Sequence, residues 1–485
     1  MKKNSFYITT MVASLLGLLA MGCNKMLDIK PPVNSITSSQ VFQNDEQAGV
    51  ALNGLYSYLI SGGDKEINSR GTLGTDLYSA GGVTIAAAHL ADEMYSPTFS
   101  GQYPYYVETA AKITLQNAGF SSKIWSTAYK GVFNANALIE GTNASSSKEF
   151  TEAARNRVKG EALAVRAMSY FYLVNFFEKI PLALSIDFNN TKGLHSSDPA
   201  AVYKQITDDL EAAVGYLSEK YDGNNAERIR INKWYAKALL ARVYLFTKNY
   251  AKAYEHANDV INQTALFKLE PLNNVFAYNS EEVIFRLKQT NDIYPTGNAT
   301  PEGYAITGLY LTPSLINSFE TGDNRKTAWT SAIGGTINFP AGFTPAKYKI
   351  NALNMTYEGF RSQYYVVARL AEMYFIRAEA NMLRSSGNKN SAIDDLNEIR
   401  HRAGLGKLLY TLTDQQVIDT IAHEKRVELF TEWGHRWLDL KRTNKANQVL
   451  SSIFYKQPWD PNQLLYPIPV REIQWDNNLS QNNGY

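Results

Sequence analysis

The sequence predicts a mostly α-helical protein. Apolar residues recur every three or four positions through Ile206, Leu210 and Val214, which is the spacing of one helix face. The stretch 158–177 carries apolar side chains on nearly every face, which is typical of a helix that is buried all round. With 45% hydrophobic residues in 485, the chain can bury a large core.

The N-terminus has the layout of a bacterial secretory signal. Lys2 and Lys3 precede an apolar run over 6–20, which is shorter than the roughly 20 apolar residues that a membrane-spanning helix needs. We therefore expect residues 1–22 to be removed as a signal peptide. Pro31 and Pro32 disfavour a helix after the cut, so the chain should continue as an extended tether.

The single cysteine, Cys23, stands at the expected cleavage point. One cysteine can form neither an intrachain disulfide nor a cysteine metal cluster. Lipidation of Cys23 would instead hold the mature chain on a membrane, since each buried CH₂ contributes about 0.8 kcal/mol. The alternative is a soluble export signal with an incidental cysteine.

The charge balance excludes one class of partner. The chain carries 48 basic and 46 acidic residues, and removal of the signal takes away Lys2 and Lys3, so the mature protein is formally neutral. A neutral chain is not attracted to phosphate backbones or to anionic lipid headgroups by a basic excess. We expect no nucleic-acid partner.

Two segments follow the small-residue and aromatic spacing of tetratricopeptide-like helix pairs. Ala241, Tyr244 and Ala253 mark the first, and Ala380, Leu383 and Ala392 fall at the same offsets in the second. The two units begin 139 positions apart, which is not a repeat period. A regular solenoid is therefore not expected, because other structure interrupts the array.

Two regions differ in composition from the helical parts, because they are rich in Gly, Pro, Asn, Thr and Tyr: residues 74–108 and 270–365. Long irregular segments in a compact protein are more often functional than incidental. We expect these two regions to build a binding face.

The sequence motifs that could suggest catalysis do not meet the requirements of a catalytic site. Asp208-Asp209 and Asp394-Asp395 are neighbours on predicted helices, so their carboxylates point apart and are expected to lie on solvated faces. Val427 stands where a metalloprotease HExxH helix needs histidine, and no nucleophile elbow or phosphate loop occurs. Gly404 is best interpreted as a helix C-cap. We expect no catalytic residue, no metal site and no cofactor.

The C-terminal third carries the most specific motifs. The segments IAHEKRVELFTEWGHRWLDLKR (421–442) and LLYPIPVREIQWDNNLSQNNGY (464–485) resemble the end of the SusD/RagB family of outer-membrane lipoproteins. The matching positions are Glu424, Arg426, Glu428, Leu429, Gly434, His435, Arg436, Trp437, Asp439, Leu440, Arg442, Pro467, Ile468, Pro469, Gln481, Asn482, Gly484 and Tyr485. Further segments near 42, 125, 160 and 397 match too, so the resemblance covers nearly all of the mature chain.

The resemblance implies a SusD-like fold, with tetratricopeptide-like helix pairs as the scaffold and long irregular ligand-binding loops. Residues 23–485 would form one unit, divided into an N-terminal part (23–230), a helix pair (231–265) and a C-terminal part (270–485). The lipid would anchor the protein to the outer membrane, with the body exposed at the cell surface. The implied partners are a SusC-like TonB-dependent transporter and a captured glycan.

The motif His435-Arg436-Trp437 looks like an active site, but a structural role is the expectation. Arg436 would pair with Glu428 or Glu432, because arginine forks commonly satisfy buried carboxylates. Trp437 would be buried.

Sugar binding calls for flat aromatic rings beside amide or charged groups. The tyrosines of the irregular regions are the candidates, with Trp329 as a weaker one that follows a structural Asp323-Asn324-Arg325 element. The predicted ligand-binding residues are Tyr95, Tyr103, Tyr105, Tyr106, Tyr294, Tyr304 and Tyr310, with Asp92, Gln102, Asn291 and Asn298 as polar partners.

The leading hypothesis is a non-enzymatic lipoprotein that binds a glycan and delivers it to the transporter. Three alternatives remain open: a peptide-capturing lipoprotein of the same family, a secreted glycoside hydrolase, and a purely structural helical-repeat adaptor. A hydrolase would need two carboxylates about 5 to 9.5 Å apart in a cleft.

Overall fold

The computed structural model describes residues 41–62, 77–96, 106–221, 227–288, 310–336, 340–349 and 363–485. The predicted signal peptide, the tether and Cys23 lie outside these ranges. The predicted divisions of the chain near 230 and 270 stay predictions.

Helices dominate the described residues. They are α1 Asp45–Ser61, α2 Val83–Leu90, α3 Tyr106–Ala110, α4 Gly119–Ala144, α5 Glu152–Phe177, α6 Phe188–Thr191, α7 Pro199–Tyr216, α8 Lys233–Phe246, α9 Tyr250–Ile261, α10 Pro313–Ile316, α11 Asn324–Trp329, α12 Leu370–Leu383, α13 Lys389–Arg402, α14 Asp414–Glu428, α15 His435–Arg442, α16 Ala446–Leu450 and α17 Val470–Trp475. A π-helical turn (Tyr78–Gly82) and two 3₁₀ turns (Phe454–Lys456 and Pro461–Leu464) complete the helical elements.

Within the described ranges, eight short strands form four two-stranded antiparallel sheets, paired β1 with β5, β2 with β3, β4 with β8, and β6 with β7. The strands are β1 Met94–Tyr95, β2 Ile180–Pro181, β3 Ser196–Ser197, β4 Val283–Leu287, β5 Tyr310–Leu311, β6 Thr330–Ile333, β7 Gly342–Pro345 and β8 Tyr365–Arg369. The mostly α prediction is confirmed.

Local sequence signals set where the main helices begin. The side chain of Asn232 caps α8 by accepting hydrogen bonds from the backbone of Trp234 and Tyr235. Thr413 and Gln416 form a reciprocal capping box at the start of α14. Such side chains satisfy amide groups that a helix terminus would otherwise leave without partners.

The two tetratricopeptide-like units are the helix pairs α8–α9 and α12–α13, as predicted. In space they are neighbours, because α9 packs against α12. The helices therefore stack in the order α4, α5, α7, α8, α9, α12, α13 and α14. The array is interrupted along the chain, between the end of α9 at Ile261 and the start of α12 at Leu370, but not in space.

We expected residues 74–108 to form part of a binding face. This is wrong for the described residues 77–90. Residues 78–90 are fully buried: a π-helical turn that is kinked at Ala80 and Gly81 leads into α2, and Tyr78 and Leu90 belong to the main hydrophobic core. The run of small and apolar residues in GGVTIAAAHL packs inside the protein, where small side chains allow close helix contacts. The binding face cannot include this stretch.

Only one aspartate of each adjacent pair is exposed to solvent, which corrects the expectation that both lie on solvated faces. Asp208 is exposed, but Asp209 is buried and accepts two hydrogen bonds from Arg166 at 2.7 and 2.8 Å. Asp395 is likewise buried against Arg377. Neighbouring positions on a helix point in different directions, so one member of each pair faces the next helix of the stack.

A buried ionic network holds the C-terminal part together. Arg369 donates to Glu282, Glu428 and Glu432 at 2.6 to 2.8 Å. Arg325 pairs with Asp323, so the Asp-x-Arg element is structural as expected. Glu428 and Glu432 are therefore engaged by arginines other than Arg436. Trp329 is fully buried beside this network and donates its indole N–H to the carbonyl of Leu272, so this weaker candidate lies in the core.

The described ranges hold no helix that combines the length and the apolar composition needed to cross a bilayer.

Candidate functional site

Three tyrosine rings meet where β1 and β5 pair. Tyr95 lies 5.9 Å from Tyr310 and 6.0 Å from Tyr455, measured between ring centroids. The rings of Tyr95 and Tyr455 are close to parallel, with 20° between their planes. Tyr95 and Tyr455 are partly exposed, whereas Tyr310 is buried. We call Tyr95, Tyr310 and Tyr455 the tyrosine cluster.

Phe454 stands beside the tyrosine cluster in the chain. It precedes Tyr455 in the same 3₁₀ turn, and 89% of its surface is exposed. An apolar ring that is exposed to this degree, and that is followed in the chain by the partly exposed Tyr455, is a candidate for ligand contact.

Backbone pairing fixes Tyr95 opposite Tyr310. The register of β1 and β5 places these residues across from each other. Thr312 extends the contact, because its amide donates to the Glu93 carbonyl at 2.9 Å and its hydroxyl donates to the Asp92 carbonyl at 2.7 Å. The position of Tyr95 thus depends on residues that lie more than two hundred positions away.

Asp92 anchors the start of β1. Arg436 donates to its two carboxylate oxygens at 2.8 and 3.1 Å, and Arg426 pairs with the same carboxylate at 2.7 Å. Burial opposes ionisation of Asp92, but the hydrogen bonds and charges of the two arginines outweigh it and lower its pKa. The predicted partners of Arg436, Glu428 and Glu432, are therefore wrong, while Trp437 is buried as expected.

Lys456 joins the turn that carries Tyr455 to the segments around Tyr95. Its ammonium is buried and donates to the carbonyls of His89, Thr109 and Glu108 at 2.8, 2.9 and 3.3 Å. Burial lowers the pKa of Lys456 to about 7. Three carbonyls at these distances hold the 3₁₀ turn against the core, so Tyr455 is presented on a fixed base.

Two carboxyl groups are buried beneath the cluster. Burial raises the pKa of Glu93 to about 8, and burial raises the pKa of Glu108 to about 8. The Glu93 carboxyl accepts from the Thr431 amide at 3.2 Å, and its other oxygen has no hydrogen-bond partner among the described residues. Buried carboxyls of this kind are mostly protonated near neutral pH.

The structure describes only part of the predicted site. Tyr95, Tyr310 and Asp92 come together, although Asp92 lies below the rings with both carboxylate oxygens engaged by arginines. Tyr106 begins α3, but its side chain lies outside the description. The predicted residues that fall outside the described ranges are Gln102, Tyr103, Tyr105, Asn291, Tyr294, Asn298 and Tyr304. Their ligand-binding role stays a prediction.

The sequence reasoning missed Phe454 and Tyr455. Their signal was present, because two adjacent aromatic residues fall in a short segment followed by Gln457 and Pro458, outside the long helices. The predicted tyrosines came from the two irregular regions, 74–108 and 270–365, and Phe454 and Tyr455 lie outside both. No pattern in the sequence reveals their pairing with Tyr95, which depends on tertiary contacts.

The tyrosine cluster can bind a flat apolar face by stacking, and its hydroxyls can donate and accept hydrogen bonds. It offers no metal site, because no group of three His, Cys, Asp or Glu side chains within the described part of the chain is arranged to hold an ion.

Two family models match the chain. The SusD family model matches residues 334–485, and a model described as "Starch-binding associating with outer membrane" matches residues 72–245. The two matches do not overlap, and together they include every described residue of the tyrosine cluster except Tyr310.

Related proteins cover the chain almost completely. A SusD-like protein of Formosa agariphila is 24% identical, with 96% of each chain covered. The starch-binding protein SusD of Bacteroides thetaiotaomicron is also 24% identical, with 69% of this chain and 74% of that protein covered.

Solved structures share the fold. A laminarin-binding SusD-like protein superposes with a TM-score of 0.71 at 24% identity, covering 92% of this chain and all of that one. Residues 334–485 match the SusD family, and the chain as a whole is similar in sequence and in fold to SusD-like proteins.

Proposed function

We propose that this protein is a lipid-anchored outer-membrane protein, exposed at the cell surface, that binds an oligo- or polysaccharide and delivers it to a SusC-like TonB-dependent transporter. The observation that carries the proposal is the tyrosine cluster with the exposed ring of Phe454 next to it. Aromatic faces stack against the C–H faces of pyranose rings, so the two partly exposed rings of Tyr95 and Tyr455, with the exposed Phe454 next in the chain, suit a glycan.

The names of related proteins support the ligand class. The relative from Bacteroides thetaiotaomicron is a starch-binding protein, and one structural neighbour is a laminarin-binding protein. Starch and laminarin are both glycans, which is why we extend glycan binding to this chain. The predicted residues on either side of the cluster, from Gln102 to Tyr106 and from Asn291 to Tyr304, would complete the binding surface.

The environment of the cluster favours binding without catalysis. Asp92, Glu93 and Glu108, the carboxyls that the structure describes next to the cluster, are buried, and Asp92 is engaged by two arginines. A glycoside hydrolase needs one carboxyl as acid and another as base or nucleophile, both facing the substrate. Binding and release by stacking and hydrogen bonds accounts for the same residues.

Calorimetric titration tests the ligand class. Purified mature protein is titrated with soluble starch and laminarin oligosaccharides and, in parallel, with peptide digests. We expect heat on glycan addition and none with peptides. Heat with peptides alone would favour the peptide-capturing alternative, and shortened glycan products after incubation would favour a hydrolase.

Variants locate the site. Tyr455→Ala and Phe454→Ala should each weaken glycan binding at least fivefold, because each removes a stacking face of about 1 kcal/mol or more. Tyr410→Ala is the matched control, since Tyr410 is also an exposed tyrosine but lies outside the cluster. Equal losses in Tyr410→Ala and Tyr455→Ala would contradict the site.

Fractionation tests the anchor and the partner. Cys23→Ser should move the protein from the outer-membrane fraction to the soluble fraction, because the acyl chains would be missing. Affinity purification of the tagged wild-type protein from detergent-solubilised outer membranes should recover a TonB-dependent transporter. A Cys23→Ser protein that stays in the membrane would refute lipidation at this residue.

A further inference from the structure

A cavity that shares no residue with the tyrosine cluster lies near the C-terminus. Its volume is about 810 Å³, which is in the range of small-molecule binding sites. The turn after α5, strand β3, the end of α15, the 3₁₀ turn Pro461–Leu464 and the tail over 478–483 form its walls. None of the cluster residues lines it.

The cavity wall is rich in side-chain amides that are already held in place. Asn478 donates to the Gly193 carbonyl at 2.9 Å, and Asn482 donates to the Tyr466 carbonyl at 2.7 Å. Asn447 accepts from the indole of Trp459 at 2.9 Å. Asn482 also donates to the Phe177 carbonyl at 3.0 Å, so its carboxamide keeps only its acceptor oxygen, whereas Asn478 and Asn447 each keep at least one donor hydrogen.

Asn444 adds an amide that makes no side-chain hydrogen bond among the described residues. Its backbone is left-handed, with φ of +57°, a region that asparagine tolerates better than most residues. Amide donors and acceptors that line one wall match the hydroxyl groups of a sugar.

No aromatic residue lines this cavity. Stacking therefore cannot contribute, and hydrogen bonds between neutral groups gain little because water competes for them. A ligand that binds here with useful affinity must bring a charge, since charge-assisted hydrogen bonds are about twice as strong.

Lys441 supplies the opposite charge. It lines the cavity and donates to the carbonyl of Asn175. No carboxylate of the described residues lies within 4.0 Å of its ammonium, whereas the buried ammonium groups of Lys347 and Lys425 are paired with Glu432 and Asp439.

The ammonium of Lys441 is therefore short of an anionic partner. Burial lowers its pKa to about 7, and the more distant Glu178 carboxylate only partly opposes this shift. Glu178, Lys179 and His195 stand on the same wall, so the cavity carries one carboxylate beside the ammonium groups of Lys179 and Lys441. A bound carboxylate would restore the charged form of Lys441.

We propose that this cavity binds an acidic saccharide residue, with its carboxylate on Lys441 and its hydroxyls on the amides of Asn444 and the C-terminal tail. This goes beyond the proposed function, because the site is separate from the tyrosine cluster and selects for charge. It does not require that the cluster bind glycans.

Titration with trigalacturonate, against the neutral trisaccharide galactotriose, tests the inference on the intact mature protein. We expect binding of the uronate and at least tenfold weaker binding of the neutral sugar. Lys441→Met should weaken uronate binding tenfold or more, and Lys204→Met, at an exposed lysine on α7, should leave it unchanged.

Two further variants keep the result interpretable. Asn444→Gly removes an amide while preserving the left-handed backbone, so it should weaken uronate binding about threefold without a change in melting temperature. Tyr455→Ala should leave uronate binding intact, which separates this site from the cluster. Equal affinity for both sugars, no uronate binding at millimolar concentration, or loss of uronate binding in Tyr455→Ala would each overturn the proposal.

Discussion

Arg436 donates hydrogen bonds to both carboxylate oxygens of Asp92 across a separation of 344 residues. This pair connects the Gly-His-Arg-Trp motif near the end of the chain with the strand that carries Tyr95. The family motif that looks catalytic in the sequence therefore supports the base of the tyrosine cluster. Loss of the pair should affect both stability and the position of the rings.

Asp92→Asn should lower the free energy of unfolding by about 3 kcal/mol, because it leaves the guanidinium groups of Arg426 and Arg436 buried beside a neutral amide. Urea denaturation measures this change. The matched control is Asp208→Asn, since Asp208 pairs with Lys204 on an exposed helix surface and should contribute less than about 0.5 kcal/mol. Similar effects of the two substitutions would show that the Asp92 pair is not a buried anchor.

Gly342→Ala should weaken glycan binding several-fold with little loss of stability. A methyl group at Gly342 would lie 2.5 Å from Cδ1 of Tyr310, so the ring must move out of its place against Tyr95. The control is Gly334→Ala, because nothing lies within 4 Å of the added methyl group there. Calorimetric titration with the best glycan of the panel gives the affinities, and unchanged binding in Gly342→Ala would mean that Tyr310 does not position the site.

Glu93→Gln should make the protein more stable at pH 8 than the wild type, with a much smaller difference at pH 5. Folding raises the pKa of Glu93 from 4.5 to about 8, so the folded state holds a proton that the unfolded chain loses. The free energy of unfolding then falls as the pH rises through this window, at up to about 1.4 kcal/mol per pH unit. Glutamine has no proton to lose and keeps the acceptor for the Thr431 amide.

The measurement for Glu93 is urea denaturation of both proteins at pH 5, 6.5 and 8. The difference between variant and wild type should grow by about 2 kcal/mol or more over this range. Groups that titrate with the opposite sign, such as Lys456, are present in both proteins and cancel. Glu149→Gln, at an exposed position, serves as the control, and a constant difference across pH would contradict a buried, protonated Glu93.

Helix positions were predictable because their signal is local. The all-round apolar pattern of 158–177 does mark a buried helix, and the small-residue spacing does mark the two helix pairs. The fully buried run 78–90 was misassigned, because a stretch rich in glycine and alanine has the composition of a loop as well as that of a tightly packed helix.

Charge partners were not predictable from the sequence. Asp209 and Asp395 look like ordinary members of solvated faces, and only the neighbouring helix shows that arginines meet them. Arg436 has two glutamates within eight positions, yet a distant aspartate is its partner, because Arg325 and Arg369 already engage those glutamates. For the same reason, the sequence selected Tyr95 and Tyr310 by composition but could not show that Tyr455 stacks beside them.

Gly404→Ala should lower the free energy of unfolding by about 1 to 3 kcal/mol. Gly404 follows α13 with φ of +79°, a left-handed conformation that costs a residue with a Cβ about 1–2 kcal/mol. The added methyl group would also collide with the side-chain amide of Asn324, whose backbone N–H donates to the Ala403 carbonyl at 2.9 Å. Gly406→Ala is the control two residues later, because nothing lies within 4 Å of its added methyl group. Thermal unfolding compares the two, and equal melting temperatures would show that this turn adapts to a side chain without strain.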